Sequence, residues 1–219
     1  GGYYRNLGER MIGDIDILIS DKDFKKSINI MKELNYSNKI AKTKSISNHY
    51  PRLTNKKKMM SIEIHEEILH YKTNSIDKKE VLKKKIRLKN QTKIPNNYFQ
   101  LIHNILNYQL NDFGYYKANY SFRNIYDILI IIKNRSYLSE ISYNKIIKRY
   151  FILLDLLIGS NFVKEYNLLD KLYKFRFILK KKYKLFFYID HYLIKILLLI
   201  KYVPIRIYLN VFNVKKYQY

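Results

Sequence analysis

Cysteine is absent from the 219 residues, so disulfide bonds and cysteine-ligated metal sites are excluded. The chain has no secretory signal pattern. It also lacks an apolar run long enough for a membrane helix. The longest run, from Tyr192 to Ile200, is broken by Lys195 and falls far short of the ~20 residues such a helix needs. We therefore expect a cytoplasmic protein with no membrane span. Because the sequence opens on Gly1-Gly2 instead of Met, we also expect that an N-terminal piece is missing.

Acidic residues are scarce. Asp and Glu number 18 against 42 Lys and Arg, which gives a formal net charge of +24. Such an excess points to nucleic acid, nucleotides or anionic membranes as partners. Codon usage offers a competing explanation, since Lys, Asn, Ile and Tyr are all frequent and all have A/T-rich codons. The lysines are also scattered along the chain instead of forming one tract. Nucleic-acid binding is therefore kept as an alternative and is not favoured as the main role.

Residues 13–21 predict a short buried strand that carries two acids. Side chains alternate across a strand, so Asp14 and Asp16 share one face while Ile15 and Ile17 are expected to point into the core. Two neighbouring carboxylates on an apolar strand repel each other and lose hydration. A divalent cation such as Mg²⁺ relieves both costs, because one or two carboxylates together with substrate phosphates commonly hold it. The alternative is a strand end whose acids are simply solvated.

Residues 59–65 predict a second β-branched strand with an acid at its centre. Glu63 is flanked by Ile62 and Ile64, so it faces away from the side that those residues bury, and His65 shares its face. A carboxylate on a buried strand needs a partner, and Glu63 supplies a third acid for the first strand. His65 and His70 do not form an H-E-x-x-H zinc motif, because they are five residues apart instead of four. His49, which stands alone in a loosely patterned stretch, is interpreted as structural or exposed.

The remaining pattern divides the chain into an α/β part and a helical part. Helical spacing of apolar residues predicts a helix over residues 24–35. Residues 90–97, which contain Pro95, are the best boundary, so the predicted domains are 1–93 and 94–219. Beyond the boundary the spacing predicts helices over residues 98–110, 121–133 and 143–158. A further helix is capped by Asn161, and apolar helices at the C-terminus are interrupted by Pro204.

Two motifs together resemble a known superfamily. RMIGDIDILI at residues 10–19 and SIEIH at residues 61–65 are similar to the R-x-x-G-D-I-D-x-L-V and E-x-H strands of nucleotidyltransferases with the DNA polymerase β fold. More narrowly, they resemble the bacterial group of uncharacterised nucleotidyltransferases. The resemblance implies an α+β fold, with a small mixed β-sheet nucleotidyltransferase core, flanking helices and a C-terminal helical bundle. It implies transfer of an NMP, which we expect to be AMP, from an NTP to a hydroxyl of a small molecule or protein.

The resemblance also assigns site residues. Asp14 and Asp16 would bind two Mg²⁺ ions, while Glu63 would coordinate one of them or act as general base. Arg10, just ahead of the first strand, would bind the departing pyrophosphate, with a solvated loop arginine as the alternative. Gly2 would belong to a phosphate-cradling turn.

Further residues are assigned less directly. The resemblance places Gly13 and His65 at the nucleotide, with a hydrogen-bonded strand histidine as the alternative for His65. In the helical half, His103 and the i, i+4 pair Arg123 and Asp127 match the group in kind. They are interpreted first as structural, and second as lining the groove that seats the base or the acceptor.

Two other functions stay open. One is a binding module, the nucleotidyltransferase-like antitoxin half of a two-gene toxin–antitoxin pair that acts by holding its partner. The other is a basic RNA-associated protein whose acidic site is vestigial, for which RNA binding with a steep salt dependence and no nucleotide turnover would be expected.

Overall fold

Two strands in parallel register carry the acidic residues. Strand β1 is Asp14–Leu18 and strand β2 is Ser61–His65. Ile15 lies opposite Ile62, and Asp16 lies opposite Glu63. The computed structural model describes residues 4, 13–38, 49–70, 73–133, 141 and 144–211, with residues 202–211 as backbone alone.

A third segment, residues 49–54, runs antiparallel along the other edge of β2. Leu53 exchanges backbone hydrogen bonds of 2.9 Å with Ile62, and His49 forms a bridge with His65. With β1 parallel on one side of β2 and this segment antiparallel on the other, the sheet is mixed. The predicted small mixed sheet is thus confirmed.

Helix α1, Phe24–Glu33, follows a 3₁₀ turn at Asp21–Asp23 and covers one face of the sheet. The first core consists of buried residues from the helix and from the central part of the sheet: Phe24, Ile28, Leu53, Ile62 and Ile64. Ile17 and Met31 pack against it. Each of these side chains removes apolar surface from water, the dominant favourable term in folding. The opposite face of the sheet is left to the polar side chains.

Short elements complete the first part of the chain. Helix α2, Lys78–Lys83, is capped by the carboxylate of Asp77, which accepts a 3.0 Å bond from the backbone N–H of Glu80. Strands β3, Ile86–Arg87, and β4, Lys93–Ile94, pair antiparallel. By their contacts the residues form two compact units, the first reaching Phe99 and the second beginning at Gln100.

The second unit is helical, as predicted. After α3, Asn97–Leu106, the helix continues as one π turn, Asn107–Asn111. The later helices are α4 Gly114–Lys117, α5 Phe122–Ile131, α6 Lys145–Ile158, α7 Leu168–Lys182 and α8 Lys184–Val211. Gly159, with φ +68°, ends α6 in the left-handed conformation that glycine adopts at low cost.

A buried charged group joins α7 to α8. The guanidinium of Arg176 donates to both carboxylate oxygens of Asp190, at 2.5 and 2.9 Å, and Nζ of Lys180 lies 2.9 Å from the same carboxylate. The side chains of Asp190 and Lys180 are only 10% and 8% exposed. Since buried charges are costly without partners, this group fixes the pairing of the two helices.

Three predictions about individual residues are wrong. Ile15 is 43% exposed, because it lies one pleat nearer the start of β1 than Ile17, which does reach the first core. Asn161 caps no helix. The carboxylate of Asp155 accepts bonds from the backbone N–H groups of Phe162 and Val163, which holds this stretch as a loop, and α7 begins only after Asn167.

The third wrong prediction concerns Pro204, which does not interrupt the C-terminal helix, since α8 runs through it. Proline removes a single backbone donor, and the helix continues on both sides of it.

Helices α7 and α8 expose many large apolar side chains. They include Leu168, Leu172 and Phe175 on α7, and Leu185, Tyr192, Leu197 and Ile200 on α8. Within the described part of the chain, no helix combines the length and the apolar character required to cross a membrane.

Candidate functional site

Strand register places Asp16 directly opposite Glu63. Ile62 and Ile64 face the first core, so Glu63 and His65 project from the other face of the sheet, as predicted. Exposure differs between the two acids, since the side chain of Asp16 is 64% exposed and that of Glu63 only 13%. Two carboxylates on neighbouring strands repel each other, and the more buried one has lost most of its water. The site therefore attracts cations.

His65 completes a cluster with these two acids. Its Nε2 atom lies 2.9 Å from Oδ1 of Asp16 and 3.8 Å from Oε2 of Glu63. One ligand atom from each of the three residues lies within 4.8 Å of the others. Ligand atoms on opposite sides of a small hard dication are ~4 Å apart, so this donor set fits a divalent metal ion after small side-chain movements. The oxygen donors suit Mg²⁺ and Mn²⁺, and the imidazole also suits transition metals.

Asp14 lies on the same strand but is engaged differently. Its Oδ2 atom accepts a 2.6 Å bond from Nη2 of Arg52. The Nε atom of the same guanidinium donates a 2.8 Å bond to Oε1 of Glu63. Arg52 thus spans one carboxylate on each strand, and its hydrogen bond to Glu63 raises the pKa of the guanidinium above its usual value.

Sequence reasoning missed Arg52. The signal was its neighbour Leu53, which is 2% exposed and hydrogen-bonded to Ile62 of β2. In an extended segment the residue before a core residue faces the other way, which here is the acidic face. Two short strands are expected from the sequence within residues 36–53, but the single bridges found there are too short to predict which residues face the acids.

Two more histidines lie beside the cluster. Nε2 of His49 is 3.5 Å from Oε2 of Glu63, and its ring centroid is 5.0 Å from that of His65. The His70 ring lies 6.5 Å from that of His49. Burial lowers the pKa of His70, and the neighbouring His49 and His65 lower it further. His49, interpreted from sequence as structural or exposed, is therefore a half-buried member of the site's surroundings.

The other predicted site residues lie in different places. Gly13 directly precedes β1 and is exposed, and its carbonyl accepts a 3.3 Å bond from the hydroxyl of Ser61. Gly2 and Arg10 lie outside the described residues. Their assignment to the nucleotide stays a prediction.

The three predicted groove residues belong to the second unit. His103 lies on α3, and Arg123 and Asp127 lie on α5, where Asp127 is 5% exposed and Arg123 is exposed. The burial of Asp127 fits the structural interpretation. Their part in seating a base or an acceptor stays a prediction.

Comparison with known proteins gives one match. Residues 2–150 match a family model described as "Uncharacterised nucleotidyltransferase". This span includes both acidic strands, the Arg52 segment and the first helices of the second unit. No curated protein and no solved structure matches the chain.

Proposed function

The chain belongs to the uncharacterised nucleotidyltransferase family, and from this we propose that it is a Mg²⁺-dependent enzyme that transfers AMP from ATP to a hydroxyl group. The acceptor would be a small molecule or a protein. Family membership supports nucleotidyl transfer in general. The metal, the base and the acceptor are the proposed part.

The observation that carries the proposal is the position of Asp16 opposite Glu63, with His65 within hydrogen-bonding distance of Asp16. A triphosphate brings several negative charges to a face that already holds carboxylates, so nucleotide binding there requires cations. Asp16, Glu63 and His65 have the spacing to hold a metal ion. Asp14, two residues earlier on β1, shares the face of Asp16 and would help to hold a second. When bound, Mg²⁺ would neutralise phosphate charge and stabilise the attacking and leaving oxygens of an in-line displacement.

The protein's own groups would do the remaining work. The acceptor oxygen forms a bond to the α-phosphorus, the bond to the pyrophosphate oxygen breaks, and the hydroxyl proton leaves to a base. Glu63 is the candidate base, because it is a carboxylate of the same cluster that would hold the metal, so an acceptor hydroxyl bound there would lie beside it. His65 holds the carboxylate of Asp16 in place through their 2.9 Å contact. Positioning and charge thus supply the catalysis.

The test is label transfer from ATP labelled at the α-phosphate, in the presence of Mg²⁺ and a cell extract as the source of acceptors. We expect Asp16→Asn and Glu63→Gln each to lower transfer roughly 10²–10⁴-fold, the range found for positioned catalytic groups. Asp21→Asn is the matched control. It removes an exposed carboxylate of the same unit that pairs with Lys78 and is not one of the cluster's three residues.

Each outcome has a definite meaning. Transfer that survives both Asp16→Asn and Glu63→Gln rules out this site. Absence of transfer and of nucleotide binding by the wild-type protein rules out the enzyme and favours the binding-module alternative. Retained folding of the variants is checked by circular dichroism.

A further inference from the structure

Arg52 holds two of the carboxylates that the proposed metal ions would need. Its guanidinium donates to Oε1 of Glu63 at 2.8 Å and to Oδ2 of Asp14 at 2.6 Å. These are carboxylates of two different strands, and both belong to the set that the sequence assigned to metal binding. A guanidinium and a metal ion therefore compete for the negative charge of the same carboxylates.

Charge explains why an arginine resides there. Asp14, Asp16 and Glu63 place three carboxylates on one face, and Arg52 supplies a positive charge that touches two of them. A dication arriving at Glu63 would meet a like charge only a few ångströms away, and like charges at that distance repel strongly in a partly buried site. Metal entry and the present position of the guanidinium are thus mutually unfavourable.

Only the side chain of Arg52, and not its backbone, needs to move for a metal ion to bind these carboxylates. Its neighbour Leu53 is buried in the first core and exchanges two backbone hydrogen bonds with Ile62, which anchors the segment. The Arg52 side chain itself is 55% exposed, so it has room to leave the carboxylates. Once released, its planar fork matches phosphate oxygens, which arginine binds with two parallel hydrogen bonds.

We propose that Arg52 is a tethered counter-cation, which neutralises the acidic face when the site holds no metal and is displaced onto the nucleotide's phosphates when metal and nucleotide enter together. The phosphate half of this inference depends on the proposed function, whereas the counter-cation half depends on the acidic face alone. One consequence is that metal without nucleotide binds weakly. Nucleotide and metal then bind cooperatively, because the phosphates give the displaced guanidinium a new partner.

The test measures binding, with Mn²⁺ as the probe and free Mn²⁺ followed by electron paramagnetic resonance. Without nucleotide, we expect Arg52→Gln to bind Mn²⁺ about tenfold more tightly than the wild type, because one competing charge has been removed. With Mn²⁺ present, we expect the same variant to bind a non-hydrolysable ATP analogue about tenfold more weakly, because a charge-assisted phosphate contact has been lost. These two effects have opposite signs, which a general loss of structure would not produce.

Two further variants sharpen the test. Arg87→Gln removes an exposed arginine of β3 in the same unit and should leave both affinities unchanged. Arg52→Lys keeps the positive charge but loses the planar guanidinium group that makes two parallel hydrogen bonds. It should retain weak Mn²⁺ binding, whereas its affinity for the analogue should fall below that of the wild type.

The results separate this inference from the proposed function. Mn²⁺ binding that Arg52→Gln leaves unchanged or weakens overturns the counter-cation role. Absence of Mn²⁺ binding by both the wild type and Arg52→Gln overturns it too. Tighter Mn²⁺ binding without any change for the analogue overturns the phosphate half alone. Tighter Mn²⁺ binding by Arg52→Gln, together with a wild type that transfers no label, upholds the counter-cation and rejects the transfer function.

Discussion

The Nε2 atom of His65 lies 2.9 Å from Oδ1 of Asp16, so a histidine on one strand orients a carboxylate on its parallel neighbour. The side chain of His65 is 16% exposed and that of Asp16 is 64% exposed. The shielded imidazole therefore restricts an acid that would otherwise sample many rotamers in water. This contact gives His65 a measurable part in the site, whether it contacts a metal ion directly or only through Asp16.

We expect His65→Ala to lower Mn²⁺ affinity and label transfer roughly 10–100-fold, the usual cost of losing a group that orients a metal ligand. His65→Gln should lower both Mn²⁺ affinity and label transfer less, because the amide nitrogen of glutamine can replace Nε2 as a donor to Asp16. Mn²⁺ titration and initial rates of transfer measure the two effects. His191→Gln, on α8 of the second unit, is the control. If His65→Ala matches the wild type in both measurements, the orienting role is refuted.

Position along the core-facing side of the sheet predicts different costs of side-chain removal. Ile64 is 1% exposed in the first core, so Ile64→Ala should lower the free energy of unfolding by about 2–5 kcal/mol. Ile15 is 43% exposed, so Ile15→Ala should cost less than about 1 kcal/mol because little surface is uncovered. Urea unfolding of both variants measures the difference. Equal costs would contradict the assigned difference in burial between the two side chains.

Gly114 is expected to tolerate no side chain. A Cβ atom there would lie 2.6 Å from Cε1 and 2.9 Å from Cδ1 of Tyr108, whose ring is buried. The π turn and α4 would have to separate, so Gly114→Ala should destabilise the protein by about 1–3 kcal/mol. Gly13→Ala is the matched control, since a Cβ there meets nothing within 4 Å. A melting temperature for Gly114→Ala equal to that of the wild type would show that the clash is relieved at no cost.

Asp190 should link stability to acid pH. Burial raises its pKa, but the hydrogen bonds from Arg176 and Lys180 outweigh burial and hold the pKa below the ordinary value of 3.8. The folded protein thus binds this proton more weakly than the unfolded chain. The stabilisation is complete above the ordinary value and is lost as the pH falls through the lower, folded-state pKa.

At pH 7, Asp190→Asn should lower the free energy of unfolding by about 3 kcal/mol, because two cations lose their buried counter-charge. Urea unfolding at pH 7 and below pH 3 measures the difference in the free energy of unfolding between this variant and the wild type. This difference should become smaller in acid. Glu165→Gln removes an exposed carboxylate beside α7 and should show no such difference. If the difference in the free energy of unfolding stays constant with pH, Asp190 does not contribute to the loss of stability in acid.

The acidic strands were predictable from the sequence because their pattern lies within a few consecutive residues. Alternation of isoleucine with acid fixes which side chains share a face, so Glu63 and His65 were correctly placed opposite Ile62 and Ile64. The same motifs predicted the family, which the match over residues 2–150 confirms. Helical spacing likewise predicted the α-helical second unit.

Residues brought together by long-range pairing were not predictable in this way. Arg52 and His49 reach the site because single bridges hold their segment along β2, and a bridge of one residue leaves no periodic signal. Asn161 was misread because the carboxylate of Asp155 captures the backbone N–H groups of the next segment. In each case a specific contact that periodicity does not reveal decided the structure.

Parallel strands cannot be joined by a tight turn, so the chain must cross back to the start of the sheet before residue 16 meets residue 63. Closing such a long loop costs conformational entropy and is therefore slow. Helix α1 forms faster, because its contacts join neighbouring residues. During synthesis the first acids emerge well before their counterparts on β2. The cluster of Asp16, Glu63 and His65 therefore forms only after β2 has joined β1, and a nascent chain that ends before β2 lacks two of its three residues.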